Sequence, residues 1–371
     1  MTDLQKVSAF PAAGMVRATD GIGHYHRGGA YKPRSRSADG YFASLIEHLE
    51  YSFQLEIKGQ MGANGDWYGF DTYAIARRLI MGLVAKLLVS DLCRDPAIID
   101  LFCEYTAEML IGGPHIRAFP VLLRPIIAHS TRVAQLSNKM QQVFLNLIKY
   151  RKVKSEKMAK EGNQPEDVTD WFWRWSQHDG NNGLTELDIA QLLAANTFGA
   201  SFNTTVVLVQ CICELASRPE YVTLLREEVT STLRKHNNTW TKEGLESLKK
   251  LDSFIKESHR YNCFDVMGAP RVVKQNYTFK NGLAIPKGTV LFSPNRAMLF
   301  DEKYLANPNE FDGMRFYDLA MGRGLTRPRL SGTRRRIRII FNSGMGSMFG
   351  KFNQYPHSRG LWLSLGATYR Y

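Results

Sequence analysis

Apolar residues recur at three- and four-residue spacing from Tyr41 to Arg151, the period of helices that bury one face. The pattern predicts helices over Tyr41–Lys58, Tyr68–Val89, Pro96–Leu110 and Ile116–Tyr150. The last is interrupted at Pro120 and Pro125, because proline removes a helix hydrogen bond. Lys152–Gln164 is charged, contains Gly162 and reads as a linker. The helical period resumes at Pro165, where Trp171, Phe172, Trp173 and Trp175 form a dense aromatic cluster that reads as core. Gly180–Gly183 reads as a turn. Thr185, with Asp188 three residues on, is a capping pattern that opens a long helix to about Ser217. Arg218-Pro219 starts another helix, to Leu233, and Leu248–Tyr261 is a further one.

After Tyr261 the period changes. Pro270–Lys274, Tyr277–Lys280 and Thr289–Phe292 alternate or are β-rich, with Asn281-Gly282 and Pro286-Lys287-Gly288 as turns. Helices first and a short β region last imply a mostly α fold with a small segregated β region. No internal repeat is present. The 371 residues, 44% hydrophobic and 11% aromatic, are enough to bury a sizeable core.

Charge changes this picture at one end. The net charge is +13, but Leu319–Tyr371 holds ten Lys/Arg and no Asp or Glu. The other 318 residues hold 38 basic and 35 acidic side chains, so the body is near neutral and the tail carries the excess. A nucleic-acid-binding body is therefore not indicated. The chain divides into a Gly-, Arg- and Ser-rich segment 1–40 expected to be poorly ordered, a body 41–318, and a basic, irregular tail 319–371.

The five cysteines (Cys93, Cys103, Cys211, Cys213, Cys263) are odd in number and form no C-x-x-C pair, which argues against a disulfide framework or a zinc ribbon. All five read as small buried hydrophobes, with Cys211 and Cys213 on different helix faces. Leu79–Cys93 contains Lys86 and is too short to span a bilayer, and no membrane-crossing helix or anchor is evident. The sequons at Asn203, Asn237 and Asn276 lack a secretory signal and read as chance.

Three constellations carry candidate chemistry. The first is the middle of the long helix, Ala194–Thr205, where small residues, Gly199 and a cluster of hydroxyls and amides replace the apolar side chains of a core helix. Such hydroxyls can donate back to helix carbonyls, leaving a polar groove. The second is Glu257-Ser258-His259-Arg260, in which Glu257 and Arg260 share a face at i and i+3. His259 points elsewhere and reads as structural. The third is Phe311-Asp312-Gly313-Met314-Arg315-Phe316, where Arg315 sits between aromatics and needs an acidic partner, with Glu257 a candidate.

The order and spacing of these elements, with Ala269-Pro270-Arg271 and Ile285-Pro286-Lys287-Gly288-Thr289 between the second and third, resemble the cytochrome P-450 superfamily, and its fungal members most. The resemblance runs from about Tyr41 to Leu319 and is strongest from Pro165 onward. It implies an incomplete cytochrome P-450-like fold, haem as cofactor and a monooxygenase that inserts oxygen into a lipophilic small molecule. Electrons would come from NADPH through an NADPH–cytochrome P-450 reductase. It implies catalytic roles for Thr204 and for Asn203, which stands where the family usually has an acid. Glu257, Arg260 and Arg315 would form a structural core pair with its completing Arg, and Arg271 would hold a haem propionate.

The family's haem loop, F-x-x-G-x-x-x-C-x-G, is resembled by Phe341 to Gly350, with Phe341, Gly344 and Gly350 in place and Met348 at the position of the iron's Cys ligand. A thioether is a neutral, weak ligand and lacks the thiolate's electron push. Past Phe352 the resemblance stops, and the tail reads as sequence not selected for this fold. The family's first strands and early haem-contacting helix are not recognisable before Tyr41.

Two other readings stand beside the enzyme. One is a catalytically inactive truncated or pseudogene remnant. The other is binding of nucleic acid or an anionic membrane by the tail through Arg334-Arg335-Arg336 and Arg338, although nucleic acid is not an expected partner. The family is usually found at the endoplasmic-reticulum membrane, and a monomer without an anchor is expected here. Fungal relatives often oxidise terpenoid or indole-type metabolites, so a lipophilic secondary metabolite is the expected substrate class.

Overall fold

The computed structural model describes residues 38–57, 69–120, 122–160, 167–177, 185–264 and 266–321. The expected turn at 180–183, most of the 1–40 segment, the tail from Gly322 and the resembled haem loop lie outside the described residues. The chain divides after Thr205 into two compact units.

The first unit is built around α2 (Thr72–Val89), which is apolar on nearly every side. Its buried residues run from Ile75 to Val89, and such a helix is stable only when other helices cover it. Helices α1 (Ala38–Glu56), α3 (Pro96–Arg117) and α6 (Val168–Ser176) do so. α2 starts after Asp71, whose carboxylate accepts a hydrogen bond from the Ala74 amide at 2.9 Å, and so begins later than the hydrophobic pattern alone predicts. Thr169 on α6 donates to the Leu88 carbonyl at 2.6 Å, satisfying one of the open carbonyls at the end of α2. At the start of α6, Asp167 accepts from the Asp170 amide at 2.8 Å and from Arg151 at 2.8 Å, a fully buried ion pair. Phe172 and Trp173 are core residues, as expected.

Two expectations about helix length fail here. α3 continues through Gly112-Gly113-Pro114 to Arg117, and Gly112 serves packing there: a Cβ on it would collide with the Val133 side chain. After α4 (Arg124–Ser130), α5 (Arg132–Lys160) continues through most of the expected linker. Lys, Glu, Met and Ala are good helix formers, so charge alone does not end a helix, and Gly162 lies beyond its last turn. α1 starts at Ala38, a little before the expected Tyr41.

α7 (Glu186–Ser217) begins in the first unit and ends in the second. Asp188 accepts from the Thr185 amide and hydroxyl, and the Asp188 amide donates back to Thr185, the reciprocal cap expected from the sequence. By length and composition α7 could cross a membrane, which the sequence reading did not register. Its buried face and its polar middle also suit a core helix of this fold.

The second unit contains α8 (Glu220–Lys235), α9 (Lys242–Ser247) and α10 (Lys249–Tyr261), then β1 (Gly268–Val272), β2 (Tyr277–Thr278), β3 (Ala284–Ile285) and β4 (Val290–Ser293). α11 (Asn295–Leu299) and α12 (Arg315–Ala320) follow. β1 pairs antiparallel with β4, and β2 with β3. The β2–β3 turn needs Gly282 at φ 86°, a left-handed conformation that favours glycine. Among the described residues the strands are few and lie together between α10 and the short α11, so the class is mostly α with a small segregated β region. Cys93, Cys103 and Cys211 are buried, but Cys213 is exposed and Cys263 only partly buried. Residues two apart on a helix face different sides, which is why Cys213 does not share the burial of Cys211.

Two buried histidines make stability depend on pH. Burial, helped by the charges of Lys86 and Arg94, lowers the His48 pKa to about 4. Burial alone lowers that of His259 to about 4. Both are neutral in the fold, whereas an unfolded histidine titrates near 6.5. The unfolded state therefore takes up protons first as pH falls. Their contribution is complete above about pH 6.5 and is lost progressively toward pH 4, by at most about 3 kcal/mol each. Urea midpoints measured from pH 7.5 to 5 should fall, and His48→Leu should flatten that fall. A midpoint that stays level in both chains would contradict this account.

Candidate functional site

α10 carries the densest polar chemistry in the second unit. Its first turn lacks a side-chain cap of its own, and the Glu228 carboxylate of α8 fills the gap, accepting from the Lys250 amide at 2.8 Å and the Leu251 amide at 2.9 Å. Its apolar stripe places Phe254 against Tyr221 and Phe311 in one aromatic core. Its last turns bury Ser253, Glu257 and Arg260.

Glu257 is fully buried and accepts four hydrogen bonds. Oε1 takes Arg260 Nη2 at 2.7 Å, Arg315 Nε at 3.0 Å and the Asp312 amide at 3.0 Å, while Oε2 takes Arg260 Nε at 2.8 Å. Arg260 spends its remaining donors on the carbonyls of Leu299 (3.2 Å), Pro308 (2.8 Å) and Glu310 (3.2 Å). Arg315 donates to the carbonyls of Ala306, Asn307 (3.2 Å) and Glu310 (2.9 Å). One carboxylate thus neutralises half of two guanidinium charges, and carbonyl dipoles of a single loop, 299–310, meet the rest. Cations without carbonyls or carbonyls without cations would leave buried groups unsatisfied.

Gly313 closes this arrangement. Its amide donates to Tyr221 Oη at 3.1 Å, and its carbonyl accepts from Ser253 Oγ at 2.8 Å. A Cβ there would stand 2.7 Å from Tyr221 and 2.8 Å from Phe254, so only glycine fits. Ser253 also accepts from the Tyr317 amide at 2.9 Å, tying α12 to α10. The sequence reading missed Ser253, Tyr221 and the loop carbonyls. Ser253 lies four residues before Glu257 on the same face, a signal that was available, whereas nothing local marks Tyr221. It also missed a second network, in which Gln210 on α7 donates to the Asn262 carbonyl at 2.8 Å and Asn262 donates to Glu214 at 2.6 Å.

The middle of α7 holds the other candidate residues. Thr197, Ser201, Thr204 and Thr205 each donate to the carbonyl four residues earlier, at 2.8–3.0 Å. Each hydroxyl therefore spends its proton within the helix and keeps its oxygen lone pairs for another donor. Thr204 is buried and donates to the Ala200 carbonyl at 2.8 Å, and Asn203 beside it is half-buried. Arg271 is exposed on β1, opposite Leu291. Glu257, Arg260 and Arg315 come together in one cluster. Phe341, Gly344, Met348 and Gly350 lie outside the described residues.

The side chains suit the periphery of a haem better than its iron. Arg271 offers an exposed guanidinium for a carboxylate. Burial pushes the thiols of Cys103 and Cys211 up to about 11, so neither is poised as a thiolate ligand. Among the described residues no group of three or more His, Cys, Asp or Glu could hold a metal ion.

Because the Glu257 site is fully desolvated, removing the carboxylate should destabilise far more than removing a surface one. Glu257→Ala should lose about 3–5 kcal/mol in denaturant unfolding, against under about 0.5 kcal/mol for Glu227→Ala on the exposed face of α8. Equal, small losses would refute the assigned role of the cluster.

Comparison with known proteins agrees with this geometry. Residues 53–324 match the family model described as Cytochrome P450. The cytochrome P450 monooxygenase janQ of Penicillium janthinellum is 39% identical over 295 residues, covering 78% of this chain and 57% of its own length. The monooxygenases atmQ of Aspergillus flavus (39% identical, 80% and 55% covered) and paxQ of Penicillium paxilli (37%, 78% and 56%) are similar. The chain thus spans about half the length of the curated relatives it matches. A solved structure, the retinoic acid bound cyanobacterial CYP120A1, matches with TM-score 0.59 at 18% identity, over 88% of this chain and 66% of that one, which supports the fold. A buried Glu–Arg–Arg cluster, a polar-centred long helix, a family model covering most of the chain and relatives of the same type together place it in the cytochrome P450 family, whose cofactor is haem and whose members include haem-dependent monooxygenases.

Proposed function

We propose that the chain is a haem-monooxygenase scaffold of the fungal secondary-metabolism type, with Met348 at the position of the axial ligand. The observation that supports it most is the Glu257–Arg260–Arg315 cluster, which fixes the loop and helix leading into the tail. Residues 41–318 form the oxygenase body, with segment 1–40 before it and the basic tail 319–371 carrying a degenerate haem loop. Arg271 would bind a propionate, and Phe341, Gly344 and Gly350 would shape the loop around Met348.

Bound haem supplies dioxygen activation and insertion of one oxygen atom into a lipophilic small molecule, with electrons from NADPH through a reductase. The protein's part in proton handling falls to Thr204. Its hydroxyl proton is held by the Ala200 carbonyl, so its oxygen is oriented to accept a hydrogen bond from a water and to position that water as a proton donor. Asn203 presents an amide where an acid would be a proton source, so that supply would have to come from water. Phe198 and Phe202, stacked at 6.4 Å on the same helix, give the polar middle an apolar border suited to a lipophilic substrate.

A second reading is favoured by one observation: the acid-free tail that carries Met348. On that reading the scaffold folds and oxygen chemistry is lost, because a thioether does not supply the thiolate's push.

The test is the reduced, carbon monoxide-bound spectrum of the purified, haem-supplemented chain. The parent should lack the thiolate-type Soret shift, and Met348→Cys should gain it. A thiolate-type shift in the parent would show that a cysteine reaches the iron and that Met348 is misplaced. Failure of both chains to take up haem would leave the inactive scaffold as the correct reading.

A further inference from the structure

The tip of the β2–β3 hairpin is a three-residue loop, Lys280-Asn281-Gly282. The Phe279 amide donates to the Leu283 carbonyl at 2.9 Å, and the Gly282 amide donates to the Phe279 carbonyl at 2.9 Å. A loop closed in this way ends on a left-handed residue, and Gly282 takes that place at φ 86°. A Cβ would be strained there, so the turn keeps a glycine directly after Asn281. Asn281 Oδ1 accepts from the Leu283 amide at 3.2 Å. Every residue from Lys274 to Ala284 is exposed, and no atom beyond the adjacent residues lies within 4 Å of where a Gly282 Cβ would stand. The Gly282 nitrogen therefore follows a carboxamide with no side chain of its own and open space around it. Among the described residues Asn281 is the one asparagine followed by glycine.

A second carbonyl-bearing side chain before a glycine, Asp312-Gly313, shows what would prevent reaction between the two. Asp312 Oδ1 also accepts from the amide two residues on, that of Met314, at 3.0 Å. Gly313, however, is buried, and its N–H is committed to Tyr221 Oη at 3.1 Å. Its Cβ position is crowded by Tyr221 at 2.7 Å and Phe254 at 2.8 Å, so its nitrogen has no freedom to approach a side chain. At Gly282 only one exposed turn hydrogen bond has to open, which slows attack by about tenfold at most. Charge favours the attack, because it passes through an anionic nitrogen and a developing oxyanion. Between Val266 and Phe300 there is no Asp or Glu, and Lys280 adjoins Asn281, so the surrounding charge stabilises both anions. The Leu283 N–H already points at Oδ1, where the oxyanion forms.

We infer that Asn281 is a site of spontaneous deamidation. The Gly282 nitrogen bonds to Asn281 Cγ, the Cγ–Nδ2 bond breaks, and ammonia leaves with the proton given up by the Gly282 nitrogen. The five-membered imide then takes up water. Opening at Cγ leaves an aspartyl residue, and opening at the backbone carbonyl leaves an isoaspartyl residue whose chain runs through Cβ. Either product places a carboxylate in a stretch that has none. The isoaspartyl product also adds a backbone carbon to a loop closed around three residues, so the pairing of Tyr277 with Ile285 and of Thr278 with Ala284 is displaced. The site involves neither haem nor Met348, so it stands or falls separately from the proposed activity.

The test ages the full 371-residue chain in heavy-oxygen water at neutral and mildly alkaline pH, then digests it in acid, which stops further reaction. Peptide mass spectrometry should find the labelled amide-to-acid exchange at position 281, faster at the higher pH because the attacking amide must lose its proton. Fragmentation and methylation by an isoaspartyl methyltransferase should identify part of the product as isoaspartyl. Position 281 should convert about tenfold or more faster than any other described asparagine. Asp312 should form no isoaspartyl in the folded chain and should begin to do so in urea. The pairs at 64–65 and 182–183 lie outside the described residues and map to other peptides. Asn281→Gln keeps the glycine and the turn and should remove the product, because its longer side chain closes a larger ring. Gly282→Ala should lower the rate about tenfold or more. In the isoaspartyl fraction the Phe279 amide should lose the protection from hydrogen exchange that it has in fresh protein. No label at position 281 would overturn the inference, as would an equal rate in Gly282→Ala, conversion no faster than at other asparagines, or equal isoaspartyl formation at Asp312 in the folded chain. Unchanged protection of Phe279 would contradict the predicted displacement of the strands.

Discussion

The second unit depends on burying one carboxylate. Glu257 has no access to water, and neither does Arg260, its partner three residues along the same helix. Taking such ions out of water costs several kcal/mol each, and that cost is offset only where every lone pair and N–H finds a partner. Four donors converge on Glu257, and the two guanidiniums reach the carbonyls of Leu299, Ala306, Asn307, Pro308 and Glu310. The requirement to satisfy those donors dictates the path of residues 299–315, which have little regular structure of their own. A loop that would otherwise be held only by turns is fixed to a helix by charge.

The aromatic core works on the same segment from the other side. Tyr221, Phe254 and Phe311 enclose Gly313, which has no room for a Cβ. Arg218 lies 4.3 Å over the Phe311 ring and pairs with Glu214 of α7, so a cation covers the edge of this core. α7, α8, α10 and the 311–317 segment are thereby linked in one network within the unit. In α7 itself, hydroxyls turned inward to the helix carbonyls let polar residues occupy a buried helix without unsatisfied donors. That solution keeps acceptor oxygens available, which is what a proton-handling role for Thr204 needs.

Helix periodicity carried most of the fold into view, because α1, α2, α8 and α10 each bury a face against neighbours. It failed where tertiary packing overrode local signals. The apolar pattern ends that helix at Leu110, yet α3 continues through Gly112-Gly113-Pro114 to approach α5. The charged run after Tyr150 reads as a linker, yet its residues are helix formers. The α10 cluster was legible because Glu257, Arg260 and an arginine between aromatics have few other uses when buried. Its carbonyl partners were not, since any residue type supplies a carbonyl and only the path of the chain selects which. β3 escaped notice because two residues are too few to carry a period, and the polarity of α7 showed that Thr204 was unusual without showing where its proton goes.

The claim on which the account rests is that the Glu257 cluster, rather than local turns, holds residues 299–315. Native-state hydrogen exchange resolved to peptides measures this directly. If the cluster holds the loop, the amides of Asp312, Gly313, Arg315 and Tyr317 should exchange as slowly as those in the middle of α10. Exchange at the rate of the β2–β3 hairpin would contradict the account.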